Sequence, residues 1–316
     1  MIFNSPDTLI KYIREGLVEE QHFGYLLVSN KIHVVDRVGE SGNYPFYLRS
    51  CAKPLQAALI IDCGLDTKYN LTEEEIALCC ASHAGEDCHL DIAYKLLDKF
   101  GIDKDMLRCG IHESLSKTKR NQMLLNGEQP TTLHNNCSGK HIMMLGLCKL
   151  NGWNTKDYDD INHPLQKMIK DKIYHLCELK KQYPVTTDGC GVPIYAMPLE
   201  NMAKGYINLF CNPKYEKIKY AFLNNPYIIG GEDRTDTKII QNSENLIAKV
   251  GAGGLCIVVN TENEECLVVK ISDCDMKARE IVTIEALKNM HWANIEYDNT
   301  IKTLHGKVVG EIVATL

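Results

Sequence analysis

The sequence predicts an α+β fold in which an antiparallel sheet, drawn from both ends of the chain, carries a helical middle. Strand-like alternation occurs in residues 24–37 and returns from residue 246 onward, while the stretch between is dominated by apolar residues at helical spacing. The regular strand-helix alternation of a doubly wound parallel sheet is absent, which leaves helices gathered against an antiparallel sheet as the expected arrangement.

Taken in order, residues 24–37 (GYLLVSNKIHVVDR) read as two short strands joined by a turn at Ser29, Asn30 and Lys31. Ser41, Gly42, Asn43 and Pro45 mark a loop. Residues 50–62 (SCAKPLQAALIID) then show helical spacing with Pro54 near the first turn, where a missing N–H is tolerated, so Ser50 is expected at a helix N-terminus. Thr72, three glutamates and IALCC read as an N-capped helix with acids on its positive end, stopping near Ser82, His83 and Gly85. Amphipathic stretches over 89–100 and 141–150 close at Gly101 and Gly152. From residue 246 the pattern LIAKVGAGGLCIVV, a polar turn over 260–265 and CLVVKIS predict a hairpin, followed by a helix over 278–289. No repeat or long linker divides the chain, so residues 1–316 are expected to form one catalytic unit with a helical subdomain around 65–245.

Composition narrows the function classes. With 45% hydrophobic and 24% charged residues over 316 positions, the chain can bury a sizeable core and is not a disordered or fibrous protein. The net charge of −6, with lysines and arginines scattered among acids, gives no electrostatic support for binding nucleic acid or an anionic membrane. The opening residues MIFNSPDTLIKYIRE lack the cationic-then-apolar order of a secretory signal, and no apolar run is long enough to cross a bilayer. The fourteen cysteines sit inside ordinary helix and strand patterns, which reads as buried reduced thiols and a cytoplasmic location.

Several segments carry chemistry. In LRSCAKPLQ, Ser50 and Lys53 stand three apart at a helix start and project from one face. A lysine can take a serine proton only if burial or a nearby cation brings its pKa from about 10.4 toward roughly 7 to 8. Ser114 with Lys117 and Ser116 with Lys119 share the spacing, so by itself it equally fits a capping serine and a solvated lysine. CCASHAGEDCH crowds Ser82, His83, Gly85, Glu86 and His89 behind a strong helix, fitting either a cleft wall or a plain helix end. AKVGAGG supplies Lys249 near a strand end, followed by glycines that admit a ligand close to the backbone. In TLHNNCSGKH, Cys137, Ser138, Gly139, Lys140 and His141 lead into an apolar helix. TTDGCGVP, fifty-three residues past Cys137, places Asp188 and Cys190 on a tight turn. Two thiolates from separate loops can hold a soft metal such as zinc, but no CxxC occurs, and two plain buried thiols fit as well.

Read together and in this order, VEEQHFG, LRSCAKPLQ, CASHAGEDCH, LHNNCSGKH, HPLQ, TDGCGVP, GGEDRTDT and AKVGAGG resemble the thermolabile, rhizobial-type L-asparaginase II family, over about residues 15–278. The resemblance implies a fold similar to serine beta-lactamases, penicillin-binding proteins and serine glutaminases, a homodimer, and two Ser-Lys pairs, Ser50 with Lys53 and Ser82 with Lys249. It implies zinc on Cys137, Lys140 and Cys190, no organic cofactor, and a substrate pocket for L-asparagine lined by Arg49, His141 and Asp188. On this reading Ser50 attacks the side-chain amide, with Lys53 or the Ser82 and Lys249 pair taking its proton, an aspartyl ester forms on the serine, ammonia leaves, and water completes the hydrolysis. Either serine can act as nucleophile with the other as relay, and the short Ser50 to Lys53 spacing favours Ser50. The chain departs from the family where Gly253 replaces a usual glutamate and near Cys274 and Lys277, where a glycine and an arginine are usual. Loss of a carboxylate beside Lys249 would remove a charge that holds that lysine protonated.

Two other readings remain open at this level. A glutaminase or another acyl-serine amidohydrolase of the same fold differs by pocket contacts worth only about 1 to 3 kcal/mol per methylene. A non-catalytic zinc or thiol protein would need Cys137 and Cys190 but neither Ser-Lys pair.

Overall fold

A computed structural model describes residues 4–316. Its strands, in chain order, are β1 (Asp7–Arg14), β2 (Leu17–Ser29), β3 (Val34–Val38), β4 (Phe46–Tyr47), β5 (Val185–Thr187) and β6 (Pro193–Met197). They continue as β7 (Leu246–Gly251), β8 (Leu255–Asn260), β9 (Glu265–Ile271), β10 (Thr300–Lys302) and β11 (Val308–Ala314).

The main sheet has the order β10-β11-β1-β2-β9-β8-β7, with β3 paired to β2, and every pairing is antiparallel. It is therefore the α+β sheet expected from the two chain ends. The hairpin expected over 24–37 is present, reversing at Asn30, whose side-chain oxygen accepts from Ile32 N and His33 N. The central part is fully buried: every residue of β7 and β8 lies in the core, which explains the near-continuous apolar runs there. Strand β1 was not expected. Register shifts between Thr8 and Ile10 and between Tyr12 and Ile13 break its two-residue period, so alternation is lost from the sequence.

Between the sheet halves the chain is helical apart from three short strands, β4, β5 and β6. The helix Glu73–Cys80 starts in a capping box, Thr72 Oγ1 accepting from Glu75 N at 3.3 Å and Glu75 Oε2 from Thr72 N at 2.8 Å. Helices Asp87–Phe100, Ser138–Leu150 and Met276–Asn289 occupy the expected stretches, and Gly101 closes the first of these in a left-handed conformation. No helix among the described residues is long and apolar enough to cross a membrane.

A second sheet, β4-β6-β5, brings distant segments together. Tyr47 pairs with Ala196 and Thr187 with Pro193, so the residues just after β4 face the β5-β6 turn. That turn is the expected one, closed by Asp188 N to Val192 O at 2.8 Å and Gly191 N to Asp188 O at 2.9 Å.

Candidate active site

Three elements converge on one hydroxyl. The helix Glu73–Cys80 ends at Ala81, whose extended backbone carries Ser82 inward, where its N–H donates to Ile229 O at 3.0 Å. Lys53 opens the helix Lys53–Asp62, and Lys249 sits on edge strand β7 opposite Ile257 of β8. Lys53 is 1% and Lys249 0% exposed, and both reach Ser82 Oγ, at 3.0 and 2.9 Å.

The two lysines have different company. Lys53 Nζ also donates to Ala81 O at 2.7 Å and Asn136 O at 2.8 Å. Burial pulls its pKa down to about 8, which brings the neutral amine within reach at ordinary pH. When that proton leaves, the two carbonyls, which can only accept, keep the two remaining N–H groups. The lone pair then faces Ser82 Oγ, the one partner able to donate. Lys249 Nζ instead donates to Val250 O at 3.0 Å and lies 3.4 Å from Asp236 Oδ2, both side chains being fully buried. The two amines thus differ in partners: beside Ser82 Oγ, Lys53 has only carbonyls, whereas Lys249 also has a carboxylate.

Asp236 is the residue that sequence reasoning missed. It lies inside GGEDRTDT, a segment recognised without a role, and it supplies the carboxylate beside Lys249 that the glycine at position 253 cannot. Its approach depends on Gly230, where a Cβ would stand 2.6 Å from Asp236 Oδ1. Gly253 itself sits in the β7-β8 turn with φ of 77°, a conformation that strains L side chains, so glycine is the fitting residue there.

Ser50 occupies a 3-10 turn, Arg49–Ala52, that leads into the helix. It is half-buried, whereas Ser82 is 2% exposed. The hydrogen-bond partners of Lys53 Nζ among the described residues are Ala81 O, Ser82 Oγ and Asn136 O, so the structure joins the Lys53 amine to Ser82 and not to the Ser50 hydroxyl, because the long side chain runs inward toward the Ala81 carbonyl. Arg49, immediately before Ser50, has φ of 48°, the left-handed region that costs a non-glycine residue about 1–2 kcal/mol. The turn is pinned from behind by Tyr206, whose hydroxyl donates to Cys51 O at 2.7 Å.

The expected pocket residues lie around this cluster. Arg49 Nε is 2.9 Å from Asp188 Oδ1, an ion contact not aligned as a hydrogen bond, with the Asp188 side chain 9% exposed. Tyr158 accepts from Arg108 N at 2.8 Å and spends its own proton on His141 Nδ1 at 2.7 Å. Burial holds His141 neutral, so its remaining proton is on Nε2, which is buried and has no partner. An unpaired donor is thereby presented within the site.

Cys137, Lys140 and Cys190 are also brought together. Lys140 Nζ donates to Cys190 Sγ at 3.0 Å, and Cys137 and Cys190 are in hydrogen-bonding contact. That contact and the nearby Lys53 and Lys140 charges pull the Cys137 thiol well below its ordinary pKa, while thiolate charge pushes Lys140 up. Two sulfurs and one amine fit a thiophilic dication that keeps an open position, the amine binding once deprotonated. No group of three or more His, Cys, Asp or Glu side chains among the described residues is arranged to hold a metal. All fourteen cysteines are free thiols.

No curated protein matches the chain. Solved structures similar to it include a beta-lactamase from Mycobacterium bovis, 12% identical over 84% of this chain and 94% of that one, with a TM-score of 0.43. Another is a candidate beta-lactamase from Bacteroides dorei DSM 17855, 12% identical over 84% of this chain and 92% of that one, with a TM-score of 0.45. The L-asparaginase II family matches residues 10–314. That span covers almost all the chain and every residue of the cluster around Ser82, and the chain belongs to the L-asparaginase II family of asparaginase-like amidohydrolases.

Proposed function

We propose that the chain hydrolyses L-asparagine to L-aspartate and ammonia through an acyl-enzyme on Ser50. The observation that carries the reading is a single buried hydroxyl, Ser82 Oγ, held by two lysines of which only one has a carboxylate partner. Such an arrangement moves a proton in one direction. Ser50, the accessible hydroxyl, attacks the amide carbon as its proton passes by way of Ser82 Oγ to neutral Lys53. Lys53 then protonates Ser82 Oγ while Ser82 gives its own proton to the departing nitrogen, so ammonia leaves and the aspartyl ester remains. Water reverses the path. Lys249, with Asp236 beside it, holds Ser82 Oγ from the other side and so orients it for the transfer.

Arg49 and Asp188 offer a cation and an anion side by side, complementary to the carboxylate and ammonium of a free α-amino acid. His141 Nε2–H is a further donor for the substrate. A zinc ion would be held by Cys137, Cys190 and the neutral amine of Lys140. When bound, it would supply a fixed positive charge beside the substrate's polar groups.

A second reading, with Ser82 as nucleophile, is favoured by the direct contacts of both lysines with that hydroxyl. It requires the substrate to reach a group that is 2% exposed. The function is tested by ammonia release from L-asparagine and L-glutamine by purified protein. Asparagine-selective release is expected, and release from neither amide removes the proposal.

A further inference from the structure

Away from the serine-lysine cluster, a cavity of about 560 Å³ opens between the start of the helix Thr235–Gln241, the start of the helix Met276–Asn289 and residues 296–298. Two of its wall residues are arginines, Arg234 and Arg279, and in both the Nε is buried and has no partner. Arg279 is 5% exposed, and among the described residues the only hydrogen bond of its side chain is from Nη1 to Gly251 O at 3.2 Å. By contrast, Arg14, Arg37, Arg49 and Arg108, all more exposed, are paired with carboxylates. A buried guanidinium with most of its N–H groups unpaired is costly unless an anion meets it.

The carboxylates on the wall do not meet it. Glu280 is taken by Thr235 Oγ1 and Lys238 Nζ, each at 3.0 Å, Asp275 by Ala278 N at 2.7 Å, and Asp298 by Lys302 at 2.7 Å. Asp233 and Glu296 are exposed, where water screens them, whereas Arg279 acts from a poorly solvated position.

We propose that this cavity binds a small oxyanion, a carboxylate or a phosphate, between Arg279 and Arg234. Its position joins it to catalysis on two sides. Arg279 holds the carbonyl of Gly251, two residues past Lys249, and Arg234 precedes by two residues the Asp236 that partners Lys249. An oxyanion that fixes both arginines therefore bears on the placement of Lys249 without touching it.

The test is a titration of inorganic phosphate, and separately of acetate, into the purified protein at constant ionic strength made up with chloride. Thermal unfolding is followed for the native chain and for Arg279→Gln and Arg234→Gln. The expected result is a saturable rise in Tm of about 2 °C or more with phosphate or acetate, absent with chloride alone and lost in both variants. If Arg279→Gln does not fold, Arg234→Gln decides the matter. A Tm that follows ionic strength only, or a shift that survives in the folded variants, overturns the proposal.

This binding arm does not rest on the amidase reading. A kinetic arm does: competition of the anion with asparagine identifies the pocket with the substrate's own carboxylate, and a change in kcat at saturating asparagine identifies a separate anion.

Discussion

Ser82 Oγ lies 2.9 Å from Lys249 Nζ, and the same ammonium lies 3.4 Å from a fully buried Asp236 carboxylate. The serine is thereby flanked on one side by a buried lysine that has a carboxylate partner. On the other side it meets Lys53, which burial brings to a pKa of about 8. The direction of proton flow follows from this asymmetry and not from either lysine alone.

The first prediction concerns pH. Activity requires Lys53 neutral, and its pKa is lowered, so the neutral fraction falls as pH drops below about 8. The pH profile of kcat/KM should therefore rise about tenfold per unit up to pH near 8 and level above it. A rate independent of pH between 6 and 9 would remove Lys53 as the base.

Asp236→Asn keeps the shape of the side chain and deletes its charge, leaving Lys249 buried and unpaired. The loss of stability should be about 3–5 kcal/mol, read from urea denaturation, with activity lost as well. A cost under about 1 kcal/mol would mean that Lys249 is not held as a cation by this residue.

Gly139 sits where the helix Ser138–Leu150 crosses the helix Glu73–Cys80, and a Cβ there would stand 2.2 Å from Leu78 O. The opposing atom is backbone and cannot swing away. Gly139→Ala should cost about 1–3 kcal/mol or more and displace Ser82 with its helix, so that Tm and kcat fall together. An unchanged Tm would contradict this close approach.

Zinc content offers a separate check. Protein purified with zinc present should carry about one ion per chain, and Cys190→Ser should reduce this to near zero in elemental analysis while leaving the fold intact. Equal zinc in the native chain and in Cys190→Ser would exclude Cys137, Lys140 and Cys190 as the site.

Much of the architecture was legible because it rests on local signals. The Thr72 capping box, the glycine stop at Gly101 and the apolar runs of β7 and β8 each mark an element without tertiary information. Strand β1 was not legible because two bulges erase its period, and β10 and β11 are mostly half-buried, without the apolar alternation that marks a strand. At the site, spacing brought Ser50 and Lys53 together as a pair, but the direction of a buried lysine depends on carbonyls eighty or so residues away, such as Asn136 O. Asp236 was hidden for the same reason: its partner Lys249 lies on a strand across the site, and nothing in GGEDRTDT says which of its acids turns inward.

The central claim, that Ser50 is acylated while Ser82 serves the two lysines, is tested most directly by acid quench of the enzyme during turnover of L-asparagine, followed by peptide mass mapping. The account predicts an aspartyl ester on the peptide containing Ser50, absent in Ser50→Ala and formed far more slowly in Ser82→Ala. An ester on Ser82, or full turnover by Ser50→Ala, would contradict it.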